Sequence, residues 1–274
     1  MTIKNQAELD TMREAGRIAA WIHAEIEPAI VPGVTTGELE RIVVDRLRVA
    51  GASSSFYGYL GLPGHIRASE KDEVVHGIPG RRILQLGDII TLDISAYYRG
   101  FHGDSAWTYP VGIVADDAAR LLRDTEAALS VAIAGAGANT RLGSLSHTIE
   151  TFAEQRGYGM VPAYGGHGVG REMHEEPHVA NRGEPGRGQM LRSGPKIAIE
   201  PMFMLGGEET RQLDDGWTVV TVDGSWAAHF ERTVVVTADG GGNLDGKAGT
   251  NVTMNAYARA GQHALLVRAP SRLM

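Results

Sequence analysis

The stretch Ile89-Ile90-Thr91-Leu92-Asp93-Ile94-Ser95, continued by Tyr97-Tyr98-Arg99-Gly100 and Phe101-His102-Gly103-Asp104-Ser105, decides how the chain is read. Two runs rich in β-forming residues flank a short turn that ends in glycine, which is a hairpin signal, and each arm carries one acid. A turn centred between Tyr98 and Arg99 sets Asp93 and Asp104 opposite one another on one face, with Cβ atoms about 4.5–5.5 Å apart. Two carboxylates that close repel unless a cation lies between them, so the pair either raises a pKa or holds metal. A pair of metal ions about 3.5–4 Å apart fits such a gap. The plain alternative is two solvated acids on an edge hairpin, and the rest of the chain bears on that choice.

The 274 residues suffice for one large domain or two small ones, and the composition is that of an ordinary globular protein. A formal charge of −7 argues against nucleic acid or an anionic membrane as the main partner, because such binding rests on Lys and Arg contacts to phosphate. There is no cysteine, which removes disulfides and thiolate metal sites and leaves His and carboxylates as the ligands for any metal. The first residues carry no signal-type apolar core, and no run reaches the roughly 18 apolar residues of a membrane span. A cytoplasmic protein is expected.

Outward from the hairpin, helical spacing of Met12, Ala15, Ile18, Ala19, Ile22 and Ile26 predicts a helix over 7–30, ended by Pro28 and Pro32-Gly33. Thr35 with Glu38 three residues on is a capping-box signature, and Leu39, Ile42, Val43 and Leu47 form the stripe of a second helix stopped by Gly51. A Gly-, Ser- and Tyr-rich loop over 52–66 and a short apolar stretch at Val74-Val75 lead into the hairpin. The second half repeats this order, with helix patterns over 116–134 and 145–156. The stretches 39–51 and 145–157 are offset by 106 residues, and the same offset carries Asp93 to 199, beside Glu200. Two related halves, about 1–112 and 113–237, would pack about a pseudo-twofold axis with acids from both meeting at the junction, a favoured place for a site. Residues 238–243 read as a Gly-rich linker, and 264–267 as an apolar run in a tail, 238–274, whose role is open.

Gly165-Gly166-His167-Gly168-Val169-Gly170 surrounds an imidazole with glycines, which lets backbone approach closely and leaves the ring uncrowded, as a metal ligand requires. His174-Glu175-Glu176-Pro177-His178 has the H-E-x-x-H spacing of zinc proteases, yet Pro177 breaks the helix that motif needs. The stretch 241–247 resembles a phosphate loop, but Ala248 stands where Ser or Thr is required. No nucleophile elbow or cysteine nucleophile is present. What remains is Asp93, Asp104, His167, Glu200 and Glu231. Four anions gathered at one point require about two divalent cations, and oxygen-rich donors suit Mn2+, Fe2+ or Co2+ as well as Zn2+.

At these residues the sequence resembles the type I methionine aminopeptidases, over roughly residues 3–237. The motifs are Asp72-Glu73-Val74-Val75-His76-Gly77-Ile78-Pro79-Gly80, His102-Gly103-Asp104-Ser105, Gly166-His167-Gly168-Val169-Gly170-Arg171, His174-Glu175-Glu176-Pro177, Ile199-Glu200-Pro201-Met202 and Phe230-Glu231-Arg232-Thr233. The resemblance implies the pita-bread fold, an α+β architecture of two pseudo-twofold halves with antiparallel sheet and flanking helices. It implies two divalent ions (Co2+, Mn2+, Fe2+ or Zn2+), the first chelated by Asp93, both bridged by Asp104 and Glu231, and the second completed by His167 and Glu200. It also implies His76, His174 and Glu200 as catalytic groups and Tyr59 and Trp217 near a methionine pocket. The substrates would be peptide or nascent-protein N-termini, with transient ribosome association and a monomeric state.

Several positions depart from that family pattern. Arg67 stands where a small Cys is usual, Leu62 where an aromatic is common, Met173 where Phe is common, Lys71 for Asn and His229 for Gln. An Arg lining a thioether pocket is costly unless it is paired or turned to solvent, so altered first-residue specificity is an alternative expectation. An X-Pro peptidase of the same fold and a peptide-binding module without metal are the others.

Overall fold

The computed structural model describes residues 5–243, and the tail at 244–274, with its apolar run, lies outside the described residues. Two helices precede the first strands. Helix α1 (Gln6–Ile26) starts at Asn5, whose side chain accepts from Glu8 N–H while Glu8 reaches back, and α2 (Thr36–Val49) starts at Thr35 with the expected Thr35–Glu38 capping box. Helix α1 stops at Ile26 rather than near 30, because Pro28 opens a single tight turn at Glu27–Ala29.

The strands β1 (Ser53–Ser54), β2 (Arg67–Glu70), β3 (Glu73–Val75), β4 (Ile89–Tyr98) and β5 (Phe101–Pro110) follow, so the expected loop over 52–66 contains a short strand. Helices α3 (Asp116–Gly135) and α4 (Leu142–Glu154) come next; α4 begins three residues earlier than its apolar stripe suggested. Then come β6 (Gly159–Met160), β7 (Gly165–Gly168), β8 (Glu175–Ala180), β9 (Lys196–Ile199) and β10 (Met202–Met204). The described chain closes with β11 (Thr210–Gln212), β12 (Val219–Thr221), β13 (Ala227–His229), β14 (Arg232–Val236) and β15 (Gly241–Asn243). The stretch 238–243, expected as a linker, is instead a turn and a strand: β15 pairs antiparallel with β14 through Val236 and Gly241. Glycine's small size lets this edge strand sit against α3, where a Cβ on Gly241 would stand 2.9 Å from the Ile133 carbonyl.

The hairpin β4–β5 is present, with a register different from the expected one. Arg99 (φ 48°) and Gly100 (φ 88°) are its two central residues, and two successive positive φ angles define the turn that matches the twist of paired strands. The turn therefore centres between Arg99 and Gly100. Asp93 lies opposite Ala106, and Asp104 lies opposite Ser95. The two acids still share one face, as diagonal rather than direct neighbours.

Two large apolar clusters form the core. One joins α1 and α2 to β2, β4 and β5 through Ile18, Ile22, Leu39, Val43, Ile66, Leu92 and Ile94. The other joins α3 and α4 to β9 and β14 through Leu121, Leu129, Leu145, Ile149, Ile197, Ile199, Phe203 and Val234. Trp107 packs against both. Helix α1 lies flush on β5, since a Cβ at Gly103 would come within 2.4 Å of the Ala15 backbone. The two clusters meet where β5 runs beside β14: Ala106 and Glu231 exchange backbone hydrogen bonds of 3.3 and 2.9 Å. Thr233 Oγ1 accepts from Asp104 N–H at 3.1 Å and donates to Asp104 O at 2.9 Å.

Candidate metal centre

That seam fixes the acids. Asp93 and Asp104 project from β4 and β5, Glu231 immediately precedes β14, and Glu200 immediately follows β9. Strands β9 and β14 pair Ile199 with Arg232, so continuing the ladder sets Glu200 opposite Glu231. All four carboxylates are buried, at 5, 4, 9 and 2% exposure for Asp93, Asp104, Glu200 and Glu231. His167, on β7, reaches the same place: its Nε2 lies 3.8 Å from Asp104 Oδ2. A Cβ on Gly166 would stand 2.0 Å from the Ala198 carbonyl, so β7 packs on β9 only because that residue is glycine.

The electrostatics are those of a crowded anion cluster. Burial, and next the neighbouring Asp104, push Asp93 up to about 7. Burial, opposed by Arg67, pushes Asp104 up to about 7, and burial with the charges of Asp104 and Glu200 raises Glu231 well above the usual carboxylate range. Glu200 goes the other way. Burial works against its charge, and the His229 imidazole 3.3 Å away outweighs it, leaving its pKa lowered.

The donor set fits a divalent cation. Asp104, His167 and Glu231 can bring one ligand atom each within 4.8 Å of one another, and so can Glu200, His229 and Glu231. Asp93 Oδ1, Asp104 Oδ1 and Glu231 Oε1 are buried with no hydrogen-bond partner, a condition that proteins avoid unless an ion or water completes it. His167 Nδ1 lies 2.9 Å from the Gly168 carbonyl, which can only accept; the ring proton is therefore on Nδ1 and Nε2 presents a bare lone pair.

A cavity of about 450 Å³ opens onto the cluster and is lined by His76, Tyr164, His174 and Met202 among others. The pKa of His76 is lowered to about 3, first by burial and next by Arg67, so its ring is neutral at pH 7. Its ring stands edge-on to Tyr164 and Trp217, with centroids 5.6 and 6.4 Å away. Desolvation followed by His167 and Arg67 also lowers His174. The Tyr59 hydroxyl lies 2.7 Å from His174 Nδ1. Next to these groups, Phe56, Leu62 and Met173 form a small buried apolar cluster to which Tyr59, Ile78 and Trp217 add partly buried faces. The structure thus brings Tyr59, Leu62, Met173 and Trp217 together as one apolar patch.

Arg67 lines the cavity, as expected, and is at the same time tied to the acid cluster. It is directly opposite Asp93 in the β2–β4 ladder, donates from Nη1 to Asp93 Oδ2 at 3.1 Å, and lies with its guanidinium carbon 4.3 Å from the Phe56 ring centroid. Of the other departures, His229 is in the acid cluster. Lys71 is remote from it, at a turn with φ 52°, ion-paired to Asp88 at 2.8 Å. That left-handed backbone accounts for the family's Asn, a residue that tolerates it well. The cavity-lining Tyr164 and Met202, and Phe56 and Ile78 in the apolar patch, were not among the candidates. Tyr164 adjoins the Gly165-Gly166-His167 run and Met202 ends the Ile199–Met202 motif, so motif adjacency was the available signal. The segment at 174–178 is not helical, Glu175–Ala180 being strand β8, in keeping with the rejected zinc-protease spacing.

A buried group of carboxylates with one lone-pair imidazole, at the seam of two antiparallel sheet systems and open to a cavity, defines a metal-dependent hydrolase of the α+β pita-bread architecture. The chain belongs to metallopeptidase family M24, whose model matches residues 10–238. Methionine aminopeptidase 1 of Bacillus subtilis (strain 168) is 47% identical over 237 residues, covering 86% of this chain and 96% of that relative. A crystal structure of methionine aminopeptidase from Thermotoga maritima superposes with a TM-score of 0.88 at 39% identity, covering 89% of this chain and 99% of that one. Prolidase from Pyrococcus furiosus, at 21% identity and a TM-score of 0.73, shares the fold. Among the described residues no helix is long and apolar enough to cross a membrane.

Proposed function

We propose that this protein removes the N-terminal methionine from peptides and proteins by metal-dependent hydrolysis. The observation that carries the reading is the adjacency of the buried acid cluster to the apolar patch of Phe56, Leu62 and Met173, joined by Arg67, which pairs with Asp93 and lies over the Phe56 ring. Asp93, Asp104, His167, Glu200 and Glu231 are the residues that would hold metal. The family resemblance implies a pair of ions there, and the oxygen-rich donor set with one imidazole suits Co2+, Mn2+, Fe2+ or Zn2+. Bound divalent cations supply a Lewis acid and a water whose pKa falls toward neutrality.

The chain's own groups do the rest. Glu200, its pKa lowered, is ionised at pH 7 and is the proton acceptor and carrier toward the leaving amine. The Tyr59 hydroxyl, 2.7 Å from His174 Nδ1, orients the ring; in the tautomer with hydrogen on Nε2, that N–H is the donor for negative charge developing on the scissile carbonyl oxygen. His76, neutral at pH 7, is a second hydrogen-bonding group facing the substrate. Leu62, Met173, Tyr59 and Trp217 form the side-chain pocket. Arg67 directs its charge at Asp93, which favours ordinary methionine specificity over an altered one.

The two apolar clusters support a division of the catalytic domain near residue 112 into matched halves. A monomeric, cytoplasmic protein with transient access to nascent chains at the ribosome belongs to the same reading. The experiment is methionine release from a Met-Ala-Ser peptide by purified protein with added Mn2+ or Co2+. Release is expected to stop with chelator, and E200Q is expected to lower kcat by about 10²–10⁴. Release of proline-preceding residues without release of methionine would replace this reading with an X-Pro peptidase.

A further inference from the structure

We infer that Arg67 is a resident cation of the acid cluster, holding Asp93 in place of a metal ion, so that the centre takes one divalent ion tightly, at Asp104, His167 and Glu231. This rests on the reading of the cluster as a metal centre, and it departs from the pair of ions that the family resemblance implies.

The pairing is built into the backbone. Arg67 and Asp93 are direct cross-strand partners, so their side chains leave the sheet on the same face, and both are buried, at 8 and 5% exposure. The guanidinium is held from the other side by the Phe56 ring, itself fully buried. Asp93 is the one acid paired with Arg67 among the described residues, and Arg67 Nε is buried without a partner. An arginine cannot shed its proton to escape this position. Drawing Asp93 onto a metal ion would strand a buried guanidinium beside a dication, and breaking a buried pair in this way is heavily unfavourable.

The remaining acids divide in two. His229 Nε2 lies 3.3 Å from Glu200 Oε2 and 4.0 Å from Glu231 Oε2. Neither contact has hydrogen-bond geometry, and His229 Nε2 is buried without a hydrogen-bond partner between these two acids. His167, whose Nδ1 meets the Gly168 carbonyl, has its Nε2 lone pair facing Asp104. Arg67 thus covers Asp93 Oδ2, while Asp93 Oδ1, Asp104 Oδ1 and Glu231 Oε1 have no partner; the set that joins a lone-pair imidazole to two carboxylates not paired with a cation is Asp104, His167 and Glu231. Among the described residues, the sets able to gather three ligand atoms exclude Asp93.

The test is Mn2+ titration of the metal-stripped full chain, followed by calorimetric stoichiometry and by electron paramagnetic resonance. The wild type is expected to bind one Mn2+ per chain, with the six-line signal of an isolated ion. In Arg67→Ala and the bulkier Arg67→Met, a second ion is expected to bind at least about a hundredfold more tightly than in the wild type, with an exchange-coupled signal. Two Mn2+ of similar affinity and a coupled signal in the wild type would overturn the inference, whatever the variants do. Folded variants that both stay at one ion would overturn the role of Arg67. Methionine release from Met-Ala-Ser separates the two readings: one ion with release supports both, two ions with release overturns only this inference, and no Mn2+ with no release overturns both.

Discussion

His76 has a backbone φ of 64°, a left-handed conformation that costs a histidine on the order of 1–3 kcal/mol and persists only where surrounding structure imposes it. The strain sets the ring edge-on to Tyr164 and Trp217 at the cavity wall. His174 is oriented by a different device, the 2.7 Å contact to the Tyr59 hydroxyl. Tyr59→Phe removes that contact and keeps the apolar ring, so kcat is expected to fall about 3–10-fold, the range of one neutral hydrogen bond, with KM little changed. Steady-state kinetics on a Met-Ala-Ser peptide check it. A rise in KM with unchanged kcat would make Tyr59 a wall of the pocket and nothing more. Asp104, His167 and Glu200 were legible because a glycine or proline marks the motif around each, and Asp93 and Glu231 because each is an acid set in a run of β-forming or apolar residues. Arg67 and His229 stood out only as odd residues: their partners, Asp93 and Glu200, are 26 and 29 positions away, and only strand pairing brings them together.

Among elements, the start of α2 was the most legible, since its capping box is written in four consecutive residues from Thr35 to Glu38, whereas α4 has no side-chain cap and begins three residues before its apolar stripe. The hairpin's existence was legible too, but its register was not. A shift of the turn centre by one residue changes every pair along β4 and β5, and the deciding facts are the φ angles of Arg99 and Gly100. The Gly-rich run at 238–243 failed as a linker for a related reason: composition records flexibility, while the free edge of β14 that recruits β15 is a property of the sheet. Strand β7 offers the sharpest test at this scale. Gly166→Ala drives a methyl into the Ala198 carbonyl and must push β7 away from β9, carrying His167 with it. Destabilisation of about 1–3 kcal/mol is expected, a fall in Tm of about 2–4 °C per kcal/mol for a domain of this size, together with weaker Mn2+ binding. Wild-type Tm and Mn2+ affinity in that variant would show that β7 has room to spare.

At the scale of the whole molecule, two apolar clusters are held together across a seam whose middle is a set of buried acids, so the metal-free protein is stressed where its halves meet. Asp93 and Asp104 stand at about 7 in the folded protein against about 3.9 for an ordinary aspartate, so between those values the native state holds more protons than the unfolded chain. Stability then falls as pH rises through this window, and the full penalty is felt above about pH 7. His76 works in the opposite sense. Its pKa near 3 gives the native state fewer protons than the unfolded chain, so its contribution grows with pH and is complete above about 6.5. The two trends overlap in acid, and a difference between variants separates them. Asp104→Asn removes one buried charge and leaves His76 in place. The metal-stripped variant is therefore expected to match the wild type in Tm near pH 4.5 and to exceed it increasingly up to pH 8, while losing Mn2+ binding. Mn2+ competes with protons for the same oxygens, so its stabilisation of the wild type must grow over that range. Thermal denaturation at stepped pH, with and without Mn2+, measures both. A metal-stripped Asp104→Asn protein less stable than the wild type at pH 8 would mean that Asp104 is satisfied without metal, and the seam would then owe its cohesion to the acids themselves.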